Sequence, residues 1–259
     1  MEFQRLKPEV IEQILNLRNS QDEIPLWYNE VQNYEDSTWD EKKPPKPKKC
    51  YILLTNVCIY IFIKDLRGET TKEIFSYFDV QDIAMAHNNI LVLKFKSKTF
   101  YFIIPDSGAL VTNLMKHLKV LSWNTAPGQI FGLKEISSKQ IFKDTPNIIQ
   151  RPESLALTRY LALCVWKEVS PDPIIIDMFK KIELDPRTKV HVPETETTSP
   201  LTVILPLSLE PFVRNITFEK FSSENLGQAL NCVLSNQNKF QSLELLHYEN
   251  ADIKGLNAR

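Results

Sequence analysis

Apolar and polar residues alternate with a changing period along the chain, and the changes mark its elements. In PEVIEQILNLR (8–18), Val10, Ile11, Ile14, Leu15 and Leu17 recur near 3.6 residues behind Pro8, which predicts a short helix. IPLWYNEVQNY (24–34) reads as a strand with Leu26, Tyr28 and Val31 on one face. EDSTWDEKKPPKPKK (35–49) predicts an exposed loop, because Pro44, Pro45 and Pro47 leave no room for a ladder or a helix. CYILL (50–54) and CIYIFI (58–63) are β-branched and aromatic and flank Thr55-Asn56, a turn signal. A second turn, KDLRGE (64–69), precedes EIFSYFDVQDIAM (73–85), and His87-Asn88-Asn89 makes another. ILVLKFK (90–96) and TFYFII (99–104) predict a hairpin across Ser97-Lys98, with Lys94, Lys96 and Lys98 on a wet face.

After Pro105 the period lengthens. Asp106 or Ser107 suits a helix cap, and Leu110, Leu114, Leu118 and Leu121 form one stripe. Strands closed by one amphipathic helix predict an α+β domain, a bent antiparallel sheet with a helix over its open end. Residues 124–150 read as connector around Pro127, Gly128, Gly132 and Pro146. Arg151-Pro152-Glu153 opens SLALTRYLALCVWKEV, a helix with Leu157, Leu161, Cys164 and Val165 as its stripe, stopped by Pro171 and Pro173. A short apolar segment, IIIDMFKKIEL, follows, then a polar loop (193–200) and LTVILPLSLEPF.

The tail repeats itself. Ile216, Phe218, Phe221 and Leu226 recur 27 residues later as Leu243, Leu245, Tyr248 and Ile253. Between the copies, LGQALNCVLSNQNK (226–239) is helix-like, with Leu226, Ala229, Leu230, Val233 and Leu234 on one side and Asn236 and Asn238 at its end. An LxL strand, a helix and a period in the high twenties make the leucine-rich repeat pattern, and these eight apolar positions are its expected core. Each such unit keeps an open apolar face until the next one stacks, so two partial copies are too few to stand alone. The outward positions Thr217, Glu219 and Glu244 would then line a partner surface. The expected domains are 1–123, a sheet domain with its N-terminal helix; 124–205, a helical linker; and 206–259, the start of a repeat solenoid.

Composition narrows the chemistry. The net charge of -1 argues against a protein built to neutralise nucleic-acid phosphates. Six glycines give little material for phosphate loops, and GxSxG, HExxH, GxxxxGK[ST] and GxGxxG are all missing. Four scattered histidines, His87, His117, His191 and His247, form no ligand-like pair, so neither catalytic residues, metal nor cofactor are expected. Cys50, Cys58, Cys164 and Cys232 form no CxxC and read as buried free thiols of a reducing compartment. The N-terminus lacks a signal-peptide h-region, and no stretch of about 18 uncharged apolar residues occurs. The sequon at Asn215 falls in a predicted strand and is set aside. Trp123, just past the helix stripe, is expected to plug the sheet's core, Trp27 and Tyr28 to pack, and Arg151, Arg159 and Lys167 to form a solvated face.

The order of these parts resembles the CARMIL family, leucine-rich scaffold proteins that regulate actin capping protein. The resemblance starts at PEVIEQI and is most specific in ILLTNVCIYIFIKDLRGETTKEIFSYFDVQDI (52–83), which looks like that family's non-standard pleckstrin-homology domain. The helix with Tyr160, Cys164 and Trp166 looks like its linker helix, and FEKFSSENLGQALNCVLSNQ like its first leucine-rich unit. The resemblance implies a pleckstrin-homology-like sheet, a helical connector and the opening of an α/β solenoid. It implies a cytoplasmic, non-catalytic scaffold of the actin cytoskeleton, peripheral at the plasma membrane. Further repeats, a homodimerising helical region and the capping-protein-binding segment would lie beyond Arg259. Within this domain type Lys42, Lys43, Lys46, Lys48 and Lys49 are the candidate lipid-binding cluster. Glu30, Glu35, Asp36, Asp40 and Glu41 nearby oppose specific headgroup recognition, leaving a weak pull toward anionic lipid of about 1 kcal/mol per lysine near the surface. The competing reading of the same lysines is a solvated loop that keeps a sheet edge soluble.

Overall fold

The computed structural model describes residues 22–34, 47–64, 70–86, 90–104, 107–124, 150–186, 189–193, 199–219 and 242–246. The chain divides into two compact units, the first running through Trp123 and the second resuming at Gln150. The segments expected as linker and repeat share the second. The predicted helix 8–18 lies outside the described residues.

The first unit is one antiparallel sheet and a helix. Its strands are β1 (Pro25–Tyr34), β2 (Lys48–Thr55), β3 (Cys58–Lys64), β4 (Thr70–Ser76), β5 (Val80–Ala86), β6 (Ile90–Phe95) and β7 (Thr99–Ile103), ordered β4-β3-β2-β1-β7-β6-β5. β1 joins the two halves: Pro25 to Asn33 pair with β2, while Gln32, Asn33 and Tyr34 pair with β7. Helix α1 (Ser107–Leu121) follows and buries Leu110, Leu114, Leu118 and Leu121, the predicted stripe, each worth about 1.5–3 kcal/mol over an exposed position. This mixed α/β arrangement around a large antiparallel sheet is consistent with the expected pleckstrin-homology-like domain. Aromatic rings fill its interior: Phe75 stacks on Phe95 at 4.1 Å between centroids and meets Phe100 edge-on at 5.3 Å, and Phe100 stacks on Phe102 at 5.5 Å.

Several boundaries differ from the expectation. The segment 73–85 is two strands around a 3-10 turn, Tyr77–Asp79, where the Ser76 hydroxyl accepts from the Phe78 N–H at 3.2 Å. In β1, Tyr28 pairs with Leu53 and Val31 with Cys50, so an odd spacing puts them on opposite faces, and a register shift near Pro25 leaves Leu26 exposed. Trp123 is half-buried rather than a core plug, because α1 already fills that place with Leu121. Trp27 and Tyr28 are half-buried, and Trp39 lies outside the described residues. Lys94, Lys96 and Lys98 do take the wet face of their hairpin.

The second unit contains α2 (Leu155–Trp166), α3 (Pro173–Leu184), β8 (Lys189–Val192), α4 (Pro200–Leu209), β9 (Asn215–Glu219) and β10 (Ser242–Leu246). α2 carries no single stripe: Leu155 through Cys164 are all buried, with α3 and α4 packed against it. Tyr160 stacks on Phe179 of α3 at 5.1 Å, and its hydroxyl accepts from the Asp172 N–H at 2.8 Å. Asp172 caps α3, its carboxylate accepting from the Ile174 N–H at 2.8 Å ahead of Pro173. Replacing Asp172 by alanine should cost about 1 kcal/mol, measured by urea unfolding.

LTVILPLSL, read only as a lead-in, is helix α4 despite Pro206 inside it. It is apolar nearly all round, so no period announced it, and burial outweighs the hydrogen bond that proline removes. The three strands form a parallel sheet, β10-β9-β8. β8 was not foreseen, being four residues with only Val190 and Val192 as its inward pair.

Candidate functional site

Of the five lysines, Lys42, Lys43 and Lys46 lie outside the described residues. Lys48 and Lys49 are not loop residues but open β2, opposite Asn33 and Gln32, because β1 is long enough to pair with them. Lys49 and Glu30 are diagonal neighbours on one face, and the Lys49 ammonium sits 2.8 Å from a Glu30 carboxylate oxygen and 5.7 Å from the Tyr51 ring centroid. The hydrogen bond to Glu30 raises the Lys49 pKa. Lys49 is thus held by a carboxylate, which weakens it as a grip for lipid phosphate.

The repeat residues come together as the sequence spacing requires. Ile216 pairs with Leu243 and Phe218 with Leu245 on neighbouring parallel strands, 27 residues apart in sequence. β8 adds a rung with the same phase, Val190 opposite Ile216 and Val192 opposite Phe218, 26 residues upstream. Val190, Val192, Ile216 and Phe218 are buried. Phe221, Leu226, Tyr248 and Ile253 lie outside the described residues. On the other face Lys189 and His191 are exposed, and the His191 Nε2 lies 3.2 Å from a Glu219 carboxylate oxygen across the strands. Thr217, expected to face a partner, is buried instead. The arrangement offers a polar strip of side chains on parallel strands, the geometry of a binding surface.

Two buried polar clusters were not foreseen. In the first unit Glu23 accepts from the Thr55 hydroxyl at 2.7 Å, the Tyr60 hydroxyl at 3.1 Å and the Cys58 thiol at 3.5 Å. Beside it the Tyr77 hydroxyl donates to the Thr55 carbonyl at 2.6 Å, and His117 Nε2 is 2.8 Å from the Asn56 carbonyl. Burial drives the His117 pKa down to about 4, against that hydrogen bond, so the ring is neutral and Nε2–H donates. The cluster fixes the β2–β3 turn and ties it to α1.

In the second unit Arg151, Arg159, Glu183 and Glu210 meet. Arg151 reaches Glu183 at 2.6 Å and Glu210 at 2.8 Å, and Arg159 lies 3.7 Å from Glu210. Arg159 and Glu210 are buried, which corrects the solvated face expected for Arg151 and Arg159; Lys167 is exposed as expected. Glu183 also accepts from the Ala156 N–H at 2.8 Å, serving the start of α2, where Ser154 makes no side-chain cap. Burial pulls the Arg159 guanidinium down to about 10 and pushes the Glu210 carboxyl up, while Glu183 and Glu210 hold Arg151 high against the desolvation of its site. A signal existed: Arg159 stands in LALTRYLAL, a helix with no polar side to receive it.

Cys50, Cys58 and Cys164 are free and buried, and burial pushes the Cys50 and Cys164 thiols up to about 12, which makes them inert. Cys232, His87 and His247 lie outside the described residues, and His191 is in a strand rather than the expected loop. Among the described residues no metal-binding group of His, Cys, Asp or Glu occurs, and no helix is long and apolar enough to cross a membrane.

No family model matches the chain, and no curated protein matches it. Among solved structures it is similar to the solution structure of the N-terminal PH domain of human ARAP2, at 13% identity and a TM-score of 0.31, over 39% of this chain and 84% of that one.

Proposed function

We propose that this chain is a non-catalytic scaffold module: a pleckstrin-homology-like domain joined to the opening of a leucine-rich repeat ladder, as in CARMIL-like regulators of actin capping protein at the plasma membrane. The observation that supports the reading is the parallel register of Ile216 with Leu243 and Phe218 with Leu245, repeated one rung earlier by Val190 and Val192. A ladder of that phase keeps an apolar face to be covered by the next unit and turns a polar strip outward, which suits protein binding. Its partners would be proteins of the actin machinery, engaged through segments outside this chain.

The test is a pull-down of purified capping protein, with the 259-residue chain and the longest product of its gene as baits. The longer bait should retain capping protein and the 259-residue chain should not. A longer product with a basic, proline-containing tail that fails to retain it sinks the reading.

Membrane attachment is the weaker element, since Lys49 is engaged by Glu30. With phosphatidylserine vesicles at 50 mM salt, sedimentation should carry down a minor fraction of the chain, lost by 200 mM salt. Changing Lys42, Lys43, Lys46 and Lys48 to glutamine should abolish it, whereas Lys49→Gln alone should change it little.

A further inference from the structure

β8 is an edge strand: the order β10-β9-β8 gives it a ladder to β9 alone among the described residues. A groove of about 570 Å³ runs beside it, walled by α3. On the strand side the wall uses Lys189, Val190 and His191 in succession. Side chains of successive strand residues point to opposite faces, so a groove touching all three follows the strand's edge. On the helix side Ile174, Met178 and Lys181 lie on one stripe, while Ile175, Phe179 and Ile182 are the residues α3 buries. The groove therefore uses a side of α3 that the fold leaves to solvent: Ile174 keeps 55% of its surface exposed, and Leu184 at the far end keeps 87%.

An apolar wall beside an edge strand suits one kind of occupant. Extended peptides add to such edges through main-chain hydrogen bonds and place alternate side chains in the neighbouring wall. Charge selects among them, because the lining carries Lys181 and Lys189 against Asp185 alone, and His191 is already engaged by Glu219. We propose that the groove between α3 and β8 binds an extended segment of a partner protein in which apolar and acidic residues alternate, added as a strand beside β8. Apolar side chains would lie against Ile174, Met178 and Val190, and carboxylates would reach Lys181 and Lys189. The proposal goes beyond the scaffold reading and does not rest on it.

The probe is a fluorescein-labelled octapeptide of alternating valine and glutamate, titrated with the 259-residue chain and read by fluorescence polarisation. Saturable binding is expected, at least tenfold tighter than for the valine–lysine counterpart and lost when alternate backbone nitrogens are methylated. Ile174→Asp should weaken it about tenfold and Lys181→Glu about fivefold. Both positions are exposed, and unchanged thermal melts would confirm that the variants fold. Amide exchange should slow at Val190 to Val192 on binding. Absence of saturation, equal affinity for all three peptides, or slowing confined to other strands overturns the proposal. So does concentration-dependent self-association that Ile174→Asp abolishes while no peptide binds, because the groove then belongs to a second copy. None of these outcomes bears on the capping-protein pull-down, so the two readings fail separately.

Discussion

Replacing Glu210 by alanine should cost the second unit about 3–5 kcal/mol, the penalty for stranding a buried charge. Glu210 is fully buried and is the only acid within ion-pair distance of Arg159 among the described residues. Without it, Arg159 keeps its charge at 1% exposure and Arg151 keeps only Glu183. The measurement is urea unfolding, with amide exchange in α2 reporting on the second unit by itself. Removing both charges should hurt less than removing one: Arg159→Met with Glu210→Met leaves apolar groups of similar length, and such replacements are often neutral or stabilising. A double variant less stable than Glu210→Ala, or an alanine variant that loses under 1 kcal/mol, would show that the network carries little of the unit's stability.

Why the network escaped a reading of the sequence is instructive. Arg151, Arg159, Glu183 and Glu210 span 59 residues, and nothing local brings them together. A charge on a helix ordinarily marks the wet side, and α2 has no wet side over Leu155 to Cys164. The strands of the first unit were legible for the opposite reason. Their alternation, as at Lys94, Lys96 and Lys98, reflects one dry and one wet face, and the stripe of α1 reflects one dry side. Where an element is buried all round, period carries no information. That explains why α4 was missed and why the stripe assigned to α2 was too narrow. The repeat was legible because copies of one unit share their spacing, and β8 was not, because its rung holds only two valines. Of the lysine cluster, the sequence gives charge but not commitment: only the β1–β2 register brings Lys49 to Glu30.

Acid should weaken the first unit through His117. The ring is buried, its Nε2–H donates to the Asn56 carbonyl, and it lies 4.6 Å from the Tyr77 ring, with Glu23 bonded to neighbouring Thr55. Its folded pKa is about 4 against about 6.5 in an unfolded chain. Between those values the unfolded chain binds more protons, so stability falls as pH falls. The contribution is complete above pH 6.5, declines below it and is fully lost near pH 4; at 1.36 kcal/mol per pKa unit the loss is about 3 kcal/mol. His117→Gln keeps a donor for the Asn56 carbonyl and cannot titrate. It should cost a constant increment at pH 7 and remove this part of the pH dependence. Glu210 runs the other way, since burial raises its pKa in the folded state, so its contribution to the second unit grows as pH falls. Amide exchange resolved by unit at pH 7, 5.5 and 4.5 separates the two. If α1 and the β2–β3 turn show the same pH dependence in His117→Gln as in the parent, the imidazole is not the group that acid charges.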